Sequence, residues 1–354
     1  MNNREKLQKF CDSSPFDALL LTGEPNRFYA TGVATSDGLA ILSADRAVFL
    51  TDSRYIETAQ KNLPDFKVLQ IARGTDYYKL TRELASDWKI ATLGFEDGIR
   101  TVKSHEKWQK ELPNVRWLPA DTSKIRDVKE LWEIDRMKKA QRIAERALDA
   151  VLGLIKPGLT EREIAAELIY HMLKFGAGRM SFDPIVASGP NSSMPHAVPG
   201  DRKIAVGDFI TMDFGCVCEG YCSDMTRTVA LGRATDEMRL VYSTVLNAQL
   251  AGITAAKAGV SGEAIHAAAA DVIGGAGFGD YFGHGFGHGL GVEVHEGSGA
   301  YPGAKEPLQA GTVISAEPGI YLPGKFGVRI EDCIVIRENG VENLMNAPKD
   351  LLII

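Results

Sequence analysis

Short apolar runs alternate with amphipathic stretches along the first third of the chain. Residues 17–21, 38–42, 46–50, 67–71 and 90–95 are rich in leucine, valine and isoleucine and have strand length, whereas 54–62 and 77–88 carry helical spacing. Alternation of this kind predicts an α/β domain with a buried mixed or parallel sheet. The polar, turn-like segment ADTSKIRDVKE follows, and a domain boundary is expected within it, giving domains 1–123 and 124–354.

Beyond the boundary, Leu131, Ile134, Met137, Ala140, Ala144, Leu148 and Val151 fall on one face of a long amphipathic helix that stops near Lys156-Pro157-Gly158. A weak internal repeat then appears. Lys156-Pro157-Gly158-Leu159-Thr160 with Ile164 matches Lys257-Ala258-Gly259-Val260-Ser261 with Ile265, each opening a helix with a hydroxyl N-cap. Further on, the run from Val206 to Asp213 aligns with that from Ala310 to Glu317.

Composition narrows the class. The 354 residues suit two domains, and 45% hydrophobic with 24% charged residues is ordinary for a globular protein. A net charge of −6 gives no nucleic-acid footprint. The N-terminal residues lack a signal-peptide core, no run reaches membrane-span length, and a cytoplasmic location is expected. The five cysteines, 11, 216, 218, 222 and 333, lack the second half of a zinc knuckle and read as reduced structural thiols.

Chemistry concentrates on Asp213, Asp224, His288, Glu317 and Glu331. Each carboxylate interrupts an apolar, strand-like run (ITMDFG, YCSDMTRTV, VISAEPGIY, GVRIEDCIVI), where a buried charge is costly unless paired or bound to a metal. Four carboxylates carry about −4, which two divalent ions neutralise. Oxygen ligands with one imidazole suit Mn²⁺, Co²⁺ or Zn²⁺. The aligned runs end on Asp213 and Glu317, and glycine-containing turns precede Asp224 and Glu331, so two carboxylate pairs on antiparallel strands are expected to face each other across a pseudo-twofold axis. The glycine-rich GHGFGHG segment lacks the P-loop pattern and reads as close backbone packing around His288.

With these residues in place, the chain resembles the metal-dependent pita-bread peptidases of the prolidase and aminopeptidase P branch. Asn26, Tyr29, Thr31 and Gly32, with Leu50-Thr51-Asp52 and Arg54-Tyr55, resemble the branch's non-catalytic domain, and all five ligand positions match in type, order and spacing. The resemblance implies a creatinase-type, ribonuclease H-like α/β N-terminal domain and an α+β pita-bread catalytic domain with internal pseudo-twofold symmetry. It also implies that Asp213 chelates one ion, that Asp224 and Glu331 bridge two, and that His288 and Glu317 complete the second, with Mn²⁺ the first choice. Glu317 would double as proton carrier, His295 would contact the scissile carbonyl, and His196 would position substrate. His284, Tyr321 and Arg329 would support them. The implied activity is an Xaa-Pro aminopeptidase acting on small peptides with proline second, as a homodimer. The alternatives are an Xaa-Pro dipeptidase (prolidase), a non-catalytic binding protein on the same fold, and a metal-free hydrolase resembling creatinase. Some prolidases carry an arginine just after the VHE motif; here Gly297-Ser298-Gly299-Ala300 follows, which tilts the reading towards the aminopeptidase.

Overall fold

The five apolar runs of the N-terminal part become strands β1 (Ala18–Leu21), β2 (Leu39–Leu42), β3 (Ala47–Thr51), β4 (Lys67–Gln70) and β5 (Thr92–Glu96), and β6 (Arg116–Ala120) joins them. They form one sheet in the order β4-β3-β2-β1-β5-β6, antiparallel at β1–β2 and β2–β3 and parallel elsewhere. The computed structural model describes residues 1–354 and divides them into two units, Met1–Ile125 and Arg126–Ile354, the division lying inside the polar segment.

Helices α1 (Asn3–Asp12), α2 (Glu24–Thr31), α3 (Ile56–Asn62), α4 (Tyr77–Asp87) and α5 (Val102–Glu111) belong to the first unit. Its core gathers Leu20, Ile41, Val48, Leu50, Leu84, Leu93 and Trp108. Asn26 is structural, donating to Glu96 Oε1 (2.7 Å) and Thr122 Oγ1 (2.8 Å).

After the short α6 (Ser123–Asp127), the second unit opens on α7 (Leu131–Leu152). Ile134, Met137, Ala140, Ala144, Leu148 and Val151 are buried as the periodicity requires, but Leu131 is 70% exposed. It is the first helical residue, one turn ahead of the packed face. Helices α8 (Glu161–Lys174), α9 (Asp236–Ala255) and α10 (Gly262–Gly275) follow. No helix is long and apolar enough to cross a membrane.

The sequence repeat is also a repeat of backbone geometry. Gly158 and Gly259, at φ +96° and +85°, donate to Ile204 O and Leu308 O (both 2.9 Å), and the capping residues Thr160 and Ser261 bridge to Lys203 and Pro307. Gly207 and Gly311, at φ +95° and +94°, make the turns into matching strands.

Those strands bound two folded-over hairpins. In the first, β9 (Phe209–Phe214) pairs with β12 (Met225–Ala230), with β10 (Cys216–Cys218) and β11 (Tyr221–Cys222) forming the inner hairpin; β8 (Ile185–Ser188) pairs with the other edge of β9, and β7 (Arg179–Met180) with β10. In the second, β13 (Val313–Ala316) pairs with β16 (Asp332–Arg337), β14 (Gly319–Leu322) and β15 (Phe326–Arg329) form the inner hairpin, and β17 (Gly340–Asn343) extends β16.

Register refines the expected symmetry. Arg227 lies opposite Met212 and Asp332 opposite Ala316, so Arg227 and Asp332 occupy equivalent positions; they form a buried ion pair at 2.8 Å. One residue earlier, Thr226 is the equivalent of Glu331 and donates its hydroxyl to it at 2.7 Å. Asp224 therefore lies two residues ahead of the position that Glu331 occupies in the other copy.

Candidate metal centre and cleft

A cleft of about 480 Å³ collects all ten residues singled out above: His196, Asp213, Asp224, His284, His288, His295, Glu317, Tyr321, Arg329 and Glu331. The carboxylates arrive from the ends of the outer strands. Asp213 is the penultimate residue of β9, Asp224 directly precedes β12, Glu317 directly follows β13, and Glu331 directly precedes β16. His288 comes from the glycine-rich segment, which lies along β13: Ser315 N donates to His288 O (2.7 Å), and Glu317 N to Phe286 O (2.7 Å). A Cβ on Gly287 would overlap the Ser315 carbonyl, so this approach requires glycine.

The imidazole of His288 is oriented from behind. Nδ1 bonds the Gly289 carbonyl (3.2 Å), turning Nε2 towards Asp224 Oδ2 (3.5 Å) and Glu317 Oε1 (3.3 Å). Ligand atoms of Asp224, His288 and Glu331 lie within 4.8 Å of one another. Ser315 Oγ accepts from the His288 amide and donates to Glu317 Oε1, both at 2.9 Å.

Arg329 ties the two copies together. Its guanidinium donates to Asp213 Oδ2 (2.6 Å), Tyr321 OH (2.8 Å) and Thr226 Oγ1 (3.1 Å), and Thr226 donates onward to Glu331. Tyr321 in turn bonds His284 Nε2 (2.9 Å), whose Nδ1 meets the Gly285 carbonyl (2.8 Å). Burial favours a neutral His284, outweighing the opposing pull of Glu317 and the Gly285 carbonyl; that carbonyl takes the Nδ1 proton, which leaves Nε2 to accept from the tyrosine. Burial opposes the charge of Arg329, yet Tyr321 and Asp213 outweigh it and hold the guanidinium firmly protonated.

The donors fit a divalent cation. Asp213 Oδ1, Asp224 Oδ1 and Glu331 Oε1 are buried with no hydrogen-bond partner, a costly arrangement for oxygen atoms unless a cation meets them. Burial, reinforced by neighbouring carboxylates, pushes Asp224 up to about 7 and raises Asp213 and Glu331 as well. His288 is pushed up to about 9, the acids around it overcoming its burial. A cation among these groups relieves both the repulsion and the desolvation.

Several contributors had no sequence signal of their own. Thr226 and Ser315 lie two residues from Asp224 and Glu317, the spacing that returns a strand to the same face. Phe182, Ile185, Pro195, Val294 and Tyr301 supply the apolar lining; Val294 opens the VHE motif, and the other four carried no signal of their own. All five cysteines are unpaired; Cys216 Sγ lies 3.5 Å from the Ala140 carbonyl on α7, and burial pushes its thiol up to about 11.

Comparison with known proteins places this geometry. The metallopeptidase family M24 model matches residues 135–338, and the creatinase/prolidase N-terminal domain matches 3–128. The chain is 40% identical to the uncharacterized peptidase YqhT of Bacillus subtilis, covering 99% of both chains. An Xaa-Pro dipeptidase from Bacillus anthracis superposes with a TM-score of 0.94 at 38% identity over 99% of both chains. An X-Pro aminopeptidase from Thermotoga maritima superposes at 0.91 with 36% identity, over 96% of this chain and 98% of the other.

Proposed function

The chain belongs to metallopeptidase family M24, with a creatinase/prolidase-type N-terminal domain, and from that premise we propose that it is an Xaa-Pro aminopeptidase, removing the N-terminal residue of small peptides whose second residue is proline. The supporting observation is the meeting of Asp213, Asp224, His288, Glu317 and Glu331 with His196 and His295 in one cleft, beside an apolar lining suited to a pyrrolidine ring.

Asp213, Asp224, His288, Glu317 and Glu331 would hold two divalent ions, Mn²⁺ first and Co²⁺ or Zn²⁺ as alternatives. When bound, the metal supplies Lewis acidity that makes water a nucleophile at neutral pH. The chain's residues do the rest. Glu317, held by Ser315, receives a proton and delivers it to the leaving proline nitrogen. His295 donates to the carbonyl oxygen as charge develops there, and His196 holds the substrate against the reacting centre. Arg329, Tyr321 and His284 keep Asp213 and the cleft wall in place.

Arg329 is the one Arg or Lys lining the cleft, and its guanidinium is committed to Asp213, Tyr321 and Thr226. The proline carboxylate of a dipeptide thus has no uncommitted guanidinium or ammonium partner there, which favours longer peptides. The dipeptidase reading draws support from the Bacillus anthracis relative. A homodimer in the cytoplasm completes the proposal; the unpaired cysteines suit a reducing compartment.

Metal-stripped protein reconstituted with Mn²⁺, Co²⁺ or Zn²⁺ and assayed on Ala-Pro and Ala-Pro-Ala, with Asp224→Asn as control, tests the reading. Metal-dependent release of alanine from the tripeptide is expected. Cleavage of the dipeptide alone would make the enzyme a prolidase, and silence on both with metal bound would sink the peptidase assignment.

A further inference from the structure

A single buried carboxylate grips both ends of the loop that carries His196. Glu161, the first residue of α8, is fully buried. Its Oε1 accepts from the Ser188 amide (2.7 Å), the Ser188 hydroxyl (2.8 Å) and Asn191 Nδ2 (3.1 Å); its Oε2 accepts from Asn191 Nδ2 (3.1 Å) and the Gly200 amide (3.2 Å). Ser188 ends β8 and Gly200 lies beyond His196, so the loop leaves from and returns to one side chain.

The charge of Glu161 is met by neutral donors and by the N-terminal end of its own helix. The nearby Arg202 is turned elsewhere, donating to Asp208 (2.7 and 3.0 Å) and to Ser188 Oγ (2.6 Å). Burying a carboxylate in this way costs more than burying an apolar side chain of similar size. What the carboxylate adds is acceptance from both loop ends at once.

Between those ends the loop is braced on its backbone. Ser192 Oγ donates to Gly189 O (2.6 Å) and accepts from Gly327 N (2.8 Å), Ala197 N donates to Met194 O (3.1 Å), and Pro195 O accepts from Arg329 (3.4 Å). Pro195 and His196 line the cleft.

The internal repeat supplies an independent contrast. The residue matching Glu161 in the second copy is Gly262, and a Cβ there would overlap the Gly299 carbonyl oxygen. In that copy the backbone packs directly on the helix start, whereas in the first a glutamate spans the gap. At this position the carboxylate occurs only in the copy whose loop carries His196; in the second copy Glu263, one residue on and exposed, accepts from the Gly303 amide (3.1 Å).

We propose that Glu161 is a positioning residue for peptide hydrolysis: by fixing residues 188, 191 and 200 it sets the place of His196 in the cleft. The inference rests on the role assigned to His196 above.

A double-mutant cycle on the full-length, Mn²⁺-loaded protein tests it, with kcat and KM for Ala-Pro-Ala, bound metal and amide exchange over 188–200 measured throughout. Glu161→Gln places an amide donor among donors. It is expected to lower kcat/KM by on the order of tenfold or more in the presence of His196, and by less than about twofold in the His196→Ala background. Bound metal should hold and amide exchange at Ser188 and Gly200 should quicken. Arg162→Ala, in the exposed pair with Asp201, should leave activity unchanged. Equal losses in both backgrounds, or no loss from Glu161→Gln while His196→Ala is impaired, would overturn the role of Glu161 alone. Full activity in His196→Ala would remove the assigned role of His196, and the inference with it. If Glu161→Gln does not fold, Asn191→Ala, which withdraws one donor from both oxygens, gives the same cycle.

Discussion

Arg329 shows how much of the site depends on one side chain's geometry. Its planar fork reaches Asp213, Tyr321 and Thr226 together, and through Thr226 it also steadies Glu331. A lysine ammonium keeps the charge but presents no fork. Arg329→Lys should therefore weaken metal binding and lower kcat/KM by on the order of ten- to a hundredfold; calorimetric metal titration alongside steady-state assays will read both, and wild-type values in this variant would show that charge alone suffices. The carboxylates that meet in the cleft were legible because acids inside apolar runs stand out. Thr226 and Ser315 were not, since a threonine or serine in a strand is unremarked until the opposing carboxylate is located.

At the scale of elements, the repeat was legible because the same Lys-x-Gly turn and the same strand entry recur, and the structure gives both glycine pairs matching positive φ. Helices α1, α2, α5, α6 and α9 went unread. In α5 the only buried residue is Trp108, and a helix anchored by one side chain leaves no apolar stripe to detect. The glycine-rich segment carries a sharp prediction: Gly287→Ala drives a methyl group into the Ser315 carbonyl, whereas the same change at Gly283 meets nothing within 4 Å. Gly287→Ala should cost about 1–3 kcal/mol in thermal or urea unfolding, and Gly283→Ala should be close to neutral; equal behaviour of the two would contradict the tight packing of this segment. In the first unit, Asp17 accepts from the amides of Ala91 and Thr92 (both 2.8 Å) and from the Thr92 hydroxyl (2.9 Å), tying the start of β1 to β5. Partial burial raises its carboxyl, but these bonds outweigh it and hold it below the ordinary range. A depressed carboxyl stabilises the fold above its unfolded value, about 3.9, and loses that contribution as pH falls through the lower folded value. Asp17→Asn should therefore be less stable than wild type at pH 7, with the gap closing below about pH 4; an unchanged gap in denaturant unfolding at the two pH values would refute the assignment.

For the whole molecule, the two units differ in what their cores ask of a cation. Met1–Ile125 closes on leucines, isoleucines and a tryptophan, and the buried guanidinium of the half-buried Arg100 lies 5.1–5.6 Å from the ring centroids of Phe95, Trp108 and Trp117. Arg126–Ile354 instead converges four carboxylates, three of them with buried oxygens that no hydrogen bond reaches. Metal bound to the folded state stabilises it by mass action, about 2.7 kcal/mol at a free concentration a hundred times Kd. The full-length protein should therefore melt at a lower temperature after chelation and recover when Mn²⁺ is returned. Residues 1–125 produced alone should fold, because their sheet and core are complete within that unit, and their melting should not respond to chelator. The contrast separates metal stabilisation from a general effect of the chelator: a shift in the 1–125 fragment would point to the latter. A full-length melting temperature that ignores both chelation and Mn²⁺ would mean that the carboxylate cluster folds without the cation its geometry implies.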